Sequence, residues 1–110
     1  MTVDVGKDFS HELINRDETQ GDGLFTGKQF RAKYLGYLDN REVWNSNPEQ
    51  IILDFNSVDV LLPSFANEAF AYYTLYAKPR QILDVIKFEN ITNVKKQIID
   101  IELESGYSGK

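Results

Sequence analysis

The chain contains no cysteine, so disulfides, thiolate zinc sites and cysteine nucleophiles are all excluded. Its single histidine, His11, sits in a polar N-terminal stretch and reads as a solvated surface residue, not a catalytic base. Basic residues are scarce: 12 Lys and Arg against 17 Asp and Glu leave a net charge of −5. A general nucleic-acid binder or a membrane-surface anchor needs a basic face to meet phosphates, so no nucleic acid and no membrane are expected as partners. No apolar run approaches the roughly 20 residues that cross a bilayer. The residues after Met1 lack the basic segment and apolar run of a secretory signal, and the expected location is the cytoplasm.

Carboxylates, by contrast, are plentiful, but their spacing does not suggest a metal site. Asp17, Glu18 and Asp22 share a loop without the regular ligand spacing of a cation site or the closing glutamate of a calcium loop. The stretch Gly21–Lys28 resembles a phosphate-binding loop only superficially. Asp22 stands where that loop needs its first glycine, and Gln29 stands where a magnesium-binding Ser or Thr belongs. No metal, cofactor or catalytic residue is expected, and the chain reads as a non-enzyme.

What is present is enough apolar material for one core. With 110 residues, 42% hydrophobic and 13% aromatic, the chain is expected to fold as a single domain over residues 1–110. Val3 and Val5 alternate with polar neighbours, and a Gly6-Lys7-Asp8 turn signal precedes a weaker extended stretch from Phe9 to Ile14. This pattern predicts an antiparallel edge hairpin, followed by an acidic loop to residue 25. Thr26 caps a predicted helix with Phe30, Tyr34 and Leu38 on one face, closed by Asn40. After a connection over 41–49, the run from Ile51 to Phe55 predicts a central strand covered on both faces.

Ser64 to Ala77 is apolar nearly all round and predicts a buried helix, headed by Ser64 as its cap and stopped by Pro79. Gln81–Phe88 predicts a second central strand. Asn90 then caps a helix carrying Ile91, Val94, Ile98 and Ile101, and residues 105–110 predict a flexible tail. The fold class is therefore α/β, a small mixed sheet with an N-terminal antiparallel edge hairpin and three or four helices.

Two positions stand out for function. Asp54 ends the first central strand, where ligands and contacts collect in open α/β sheets. Ser64 heads a buried helix, where backbone amides and the helix dipole favour an anion. Phosphorylation of Ser64 and plain capping both fit this position. Glu68 lies one turn beyond Ser64. Exposed, it would repel a phosphate there; paired with Arg16 or Arg31, it would instead orient the helix start. The structural role is preferred for all three. Of Tyr72, Tyr73 and Tyr76, at least two are expected in the core, although tyrosines also suit a contact surface.

The run Leu53-Asp54-Phe55-Asn56-Ser57-Val58, followed by Ser64-Phe65-Ala66-Asn67-Glu68-Ala69-Phe70, resembles the core signature of bacterial STAS-like domains of unknown function. Arg16, then Gly27 with Phe30-Arg31, is similar to that family's Arg and Gly-x-x-Phe-Arg positions, and Phe88-Glu89-Asn90 to its last strand. The likeness runs from about Arg16 to Asp100. It implies the fold of the wider STAS group, typified by anti-sigma factor antagonists, in which a serine at the start of the corresponding helix is phosphorylated by a partner kinase. Ser64 falls at that place. Leu62 and Pro63 depart from the usual Asp-Ser pair, and Phe65 from the usual small residue.

The resemblance thus implies a regulatory module that binds a protein partner, such as a histidine-kinase-type ATPase, through Ser64. Asp54, Phe65, Glu68, Arg16 and Arg31 would support that site. The alternative is a domain sensing a nucleotide or other small anion at the same helix end. The apolar helix from Ser64 also leaves room for a dimer.

Overall fold

A computed structural model describes residues 1–20 and 24–109. Asp22 and the start of the rejected phosphate-loop pattern, together with Lys110 of the expected tail, lie outside the described residues. A three-stranded sheet carries the fold, with β1 (Thr2–Asp4), β3 (Ile51–Asp54) and β5 (Ile86–Glu89) in the order β1-β3-β5. Both pairings are parallel, with Val3 opposite Leu53 and Leu53 opposite Phe88. A second, two-stranded sheet pairs β2 (Glu12–Leu13) with β4 (Val60–Leu61), again in parallel.

The antiparallel edge hairpin is therefore overturned. β1 is an edge strand, as its alternation suggested, but its partner is the distant β3, and β2 joins a different sheet. The turn signal at Gly6 is part of a short helix, α1 (Val5–Asp8), capped by the Asp4 carboxylate on the Lys7 amide at 3.2 Å. α1 lies hard against the loop after β3. A Cβ on Gly6 would collide with the backbone of Ser57, so only glycine permits this approach. Gly6→Ala is expected to cost about 1–3 kcal/mol, read as a lower midpoint in urea; an unchanged midpoint would mean that the loop yields freely.

Residues 27–38 do form one helical stretch, but its geometry changes along the way. It is α-helical over α2 (Gly27–Phe30), a wider π-turn over Arg31–Leu35, and 3-10 over Gly36–Leu38. Thr26 caps it as expected, accepting from the Gln29 amide at 3.1 Å. Asn40 does not close it. Instead its side chain caps α3 (Arg41–Asn45), inside the expected connection, by accepting from the Glu42 amide.

The buried apolar segment is shorter than its pattern: α4 spans Pro63–Ala69, and Ala71–Leu75 continues as 3-10 helix. Pro79 opens a helix as well as following one. It is the first residue of α5 (Pro79–Val85), where its fixed φ suits a helix start and its missing amide hydrogen costs nothing. The predicted second central strand is thus corrected to α5 followed by β5, an edge strand. A short apolar run fits a buried strand and the inner face of a buried helix equally well, and Ile82 and Val85 are that inner face. Thr92, not Asn90, caps α6 (Asn93–Ser105). Asn90 takes a left-handed conformation (φ 52°) that asparagine tolerates better than most residues.

The core lies between the sheet and α4. Phe30 is fully buried at its centre, its ring 5.8 Å from those of both Phe65 and Phe70 and 5.1 Å from that of Phe9. Tyr73 is also fully buried, whereas Tyr72 and Tyr76 are half-buried against the core. Among the described residues, no helix is long and apolar enough to cross a membrane.

Candidate functional site

The backbone of segment 15–16 accepts from the start of α2, through Gly27 N to Asn15 O at 2.9 Å and Lys28 N to Arg16 O at 3.0 Å. Gly27 lets α2 lie close to α4, because a Cβ there would stand 2.9 Å from the Glu68 Cβ and 3.0 Å from the Phe65 carbonyl oxygen. Four residues on from Gly27, Arg31 begins the π-turn and reaches over Glu68. The glutamate is buried, with its side chain only 4% exposed.

Two guanidiniums hold that carboxylate. Arg16 Nη1 donates to Oε1 at 2.9 Å and Arg31 Nη2 to Oε2 at 2.6 Å, while Arg31 Nε donates to the Glu68 carbonyl at 3.2 Å. The Tyr107 hydroxyl adds a third donor, 3.0 Å and 3.2 Å from the two carboxylate oxygens. Burial alone would lower the pKa of Arg31, but the hydrogen bond and charge of Glu68 outweigh it and raise the value. The arginine also lies flat on Tyr72, its Cζ 3.7 Å from the ring centre, and sets Nη1 3.8 Å from Asp39.

A second layer ties in the end of the chain. Asn67 Oδ1 accepts from Arg16 Nη2 and from the Ser108 amide, and Asn67 Nδ2 donates to Glu102 and to the Gly106 carbonyl. The segment predicted as a loose tail is thus held at Tyr107 and Ser108. Side-chain acceptors on α4 give the backbone there a defined path that composition does not reveal. Arg16, Lys28, Arg31, Glu68, Tyr72 and Tyr107 line an open cavity of about 450 Å³.

The sequence-derived residues fall into separate groups. Arg16, Arg31 and Glu68 come together in the preferred structural role, with both arginines on the one carboxylate. Phe65 is core, in ring contact with Phe30. Asp54 accepts from the Asn56 amide at 2.9 Å and from Asn90 Nδ2 at 3.1 Å, which closes the loop after β3 against the end of β5.

Ser64 is not the helix cap. Leu62 occupies that position, Pro63 is the first helical residue, and the half-buried Ser64 donates its hydroxyl to the Ile14 carbonyl at 3.0 Å. Proline supplies a preset helix start without a side-chain cap, which leaves the serine free to tie α4 to the segment after β2. Asn67, Tyr107 and Asp39 were not anticipated. Asn67 stands within the motif beside Glu68, so its position was visible; nothing near Tyr107 or Asp39 in sequence signals a partner so far along the chain.

Chemically the cluster is a clamp. The carboxylate lone pairs are taken up by three donors, and no group of three or more His, Cys, Asp or Glu capable of holding a metal exists among the described residues. The Tyr73 hydroxyl shares its proton between Asp39 Oδ1 at 2.6 Å and the Leu35 carbonyl at 2.9 Å. Burial, reinforced by the Asp39 hydrogen bond, pushes its pKa well above the ordinary tyrosine value. A raised native pKa for an acid means that the unfolded state releases its proton first. Stability is therefore complete below about pH 10 and declines above it as the unfolded phenol ionises. Urea titrations between pH 9 and 11 are expected to show that decline, and Tyr73→Phe to lessen it, the remainder coming from Tyr37, Tyr72 and Tyr107, whose pKa values burial or hydrogen bonding also raises; an equal decline in both proteins would assign it elsewhere.

Residues 26–96, more than half of the chain, match a family model described as a STAS-like domain of unknown function. No curated protein and no solved structure matches significantly. The matched span takes in Asp54, Ser64, Phe65, Glu68 and Arg31, while Arg16 and Tyr107 lie outside it.

Proposed function

We propose, from the premise that this chain belongs to the STAS-like family of unknown function, that it is a non-enzymatic regulatory module. It binds a protein partner through the surface around Ser64. The observation that carries this reading is a set of exposed apolar side chains, two of them beside the segment that accepts the Ser64 bond. Leu62 is 41% exposed immediately before α4, and Leu24 and Phe25 are 61% and 53% exposed. Leu24 and Phe25 line a shallow groove with Ile14, whose carbonyl accepts the Ser64 bond. Phe25 also holds a left-handed backbone (φ 54°), an unfavourable conformation for a bulky residue. Strain at an exposed aromatic is a feature of contact sites, and exposed apolar clusters mark partner surfaces. The α4 helix itself contributes little to such a surface, since Phe65 to Ala69 are buried.

Phosphorylation of Ser64 is the switch we assign to this surface, with a kinase of the histidine-kinase-type ATPase class as the partner. A phosphate on that oxygen sets nearly two negative charges against the Ile14 carbonyl oxygen that the hydroxyl now bonds, so modification drives α4 and the groove apart, whereas loss of the hydroxyl alone does not. An anion merely resting at the head of α4 would compete with the same bond, and no observation favours that reading.

The test is affinity capture from the native host with wild type, Ser64→Glu, Ser64→Ala and Phe25→Ser, each checked for an unchanged fold by melting. A protein retained by wild type and Ser64→Ala, but weakened at least about tenfold by Ser64→Glu and Phe25→Ser, is expected. Retention that ignores both substitutions would sink the assignment of the surface.

A further inference from the structure

The cavity beside Glu68 lies at the other end of α4 from Ser64, and the clamp on Glu68 does not exhaust its cations. Three basic side chains, Arg16, Lys28 and Arg31, reach its wall, against the carboxylates Asp17 and Glu68. The lining thus carries one more base than acid, with Glu18 and Asp39 standing beside Lys28 and Arg31 at its margin. Glu68 is already neutralised by two arginines. Asp17 turns to its own loop, accepting from the Thr19 amide and hydroxyl, and those bonds hold its pKa low.

Lys28 is held loosely, whereas Arg31 is fixed on Glu68 through Nη2 and Nε and leaves only Nη1 without a short bond. Lys28 is 58% exposed and lies 3.9 Å from an equally exposed Glu18, while Arg31 Nη1 reaches Asp39 only at 3.8 Å. The exposed Lys28–Glu18 pair contributes little at that distance, so an anion can exchange it for a short charge-assisted hydrogen bond at small cost and gain another from Arg31 Nη1. The rest of the wall includes Tyr72, Tyr107 and Leu75, with Arg31 lying over one face of Tyr72. Arg31 opens a π-turn, a rare widening of the helix that concentrates at functional positions. A volume of about 450 Å³ lies within the usual range for small-molecule sites.

From this juxtaposition of an exposed lysine and the edge of an arginine with an aromatic wall, we infer that the cavity binds a small phosphate monoester carried on a flat ring. The phosphate meets Lys28 and the outer edge of Arg31, and the ring packs on the tyrosine wall. A phosphate fits better than a carboxylate because it offers three acceptor oxygens and nearly two charges to converging donors. The inference is independent of the Ser64 surface, which lies on a different groove, and its failure would leave the partner reading intact.

The experiment titrates the full chain with phenyl phosphate, benzoate, phenol and inorganic phosphate, followed by calorimetry and by NMR shifts of the cavity residues. Saturable binding of phenyl phosphate below about 1 mM is expected, with benzoate and inorganic phosphate each weaker by roughly tenfold and phenol weaker still. Lys28→Ala, at an exposed position that leaves the Glu68 clamp untouched, is expected to weaken phenyl phosphate roughly tenfold. Lys33→Ala, at an exposed lysine outside the cavity wall, is expected to change nothing. No saturation by about 10 mM would overturn the inference, as would equal losses in the two lysine variants, which would reduce the effect to general charge attraction. Tighter binding of benzoate would overturn the phosphate assignment.

Discussion

Replacing Glu68 with alanine is expected to destabilise the protein by about 3–5 kcal/mol, the loss typical of a buried ion pair deprived of one partner. The reason lies less in the lost attraction than in what stays behind. Arg16 and Arg31 would keep their charges in a site where their side chains are 17% and 11% exposed. The Tyr107 hydroxyl would lose both of its acceptor oxygens, so the end of the chain should loosen with the clamp. At about 4–8 °C per kcal/mol for a domain near this size, the melting temperature should fall by at least about 10 °C.

A companion variant separates the two contributions. Glu68→Ala combined with Arg31→Met removes one stranded charge while keeping an apolar stem over Tyr72. It should recover part of the loss, giving a favourable coupling on the order of 1 kcal/mol or more. If Glu68→Ala melts within about 3 °C of wild type, the triad is a surface pairing without structural weight, and the account of how α2, α4 and the chain end are held together fails.

Phe30→Ala is expected to cost a similar amount, about 3–5 kcal/mol, by a different mechanism. Phe30 is fully buried, with the rings of Phe9, Tyr34, Phe65 and Phe70 all within 5.8 Å centre to centre. Truncation leaves a void bounded by rings from the π-turn, from α4 and the residue after it, and from the segment after α1. Rings anchored on separate elements cannot all collapse inward, so most of the cavity should remain. Denaturant unfolding should show a lower midpoint with an unchanged slope, since the surface exposed on unfolding is nearly the same. A cost below about 1 kcal/mol would show that the aromatic cluster repacks around the gap. Phe30→Leu, which keeps most of the volume, is expected to recover more than half of the loss. The contrast between the two experiments is in salt: added salt should alter the Glu68 variant relative to wild type more than the Phe30 variant.

Both residues were legible before any coordinates were considered, Glu68 from its place one turn past Ser64 and Phe30 from its spacing with Tyr34 and Leu38. The same holds for the strand at Ile51, the Thr26 cap and the helix ending at Gly106. These features are written locally, in side-chain periodicity, chain-stiffening residues and cap chemistry, and a local signal survives whatever the chain packs against. The pairing of Glu68 with both arginines could only be posed as a condition. Arg16 and Glu68 are 52 residues apart, and no spacing rule connects them.

Tertiary structure decided the rest. Whether β1 paired with its neighbour or with β3 depended on competition for strand edges: Val3 and Val5 permit either choice, and the burial of β3 between two parallel neighbours settled it. The run from Gln81 to Phe88 carried apolar residues fit for a strand or for a buried helix. Pro79 at a helix start and the packing of Ile82 and Val85 assigned most of it to α5, leaving four residues, Ile86–Glu89, for β5. Ser64 lost the cap to Leu62 because Pro63 already set the helical turn, which freed its hydroxyl for Ile14, 50 residues away. Composition and period thus determined most of the core and the start of α2, but not the inner face of the last helix, where Ile99 and Leu103 are buried and the expected Val94 and Ile101 are exposed. The partners of β1, Ser64, Glu68 and Tyr107 were chosen only when the chain closed on itself, since polar groups taken out of water must find whatever acceptors and donors the packed elements bring within reach.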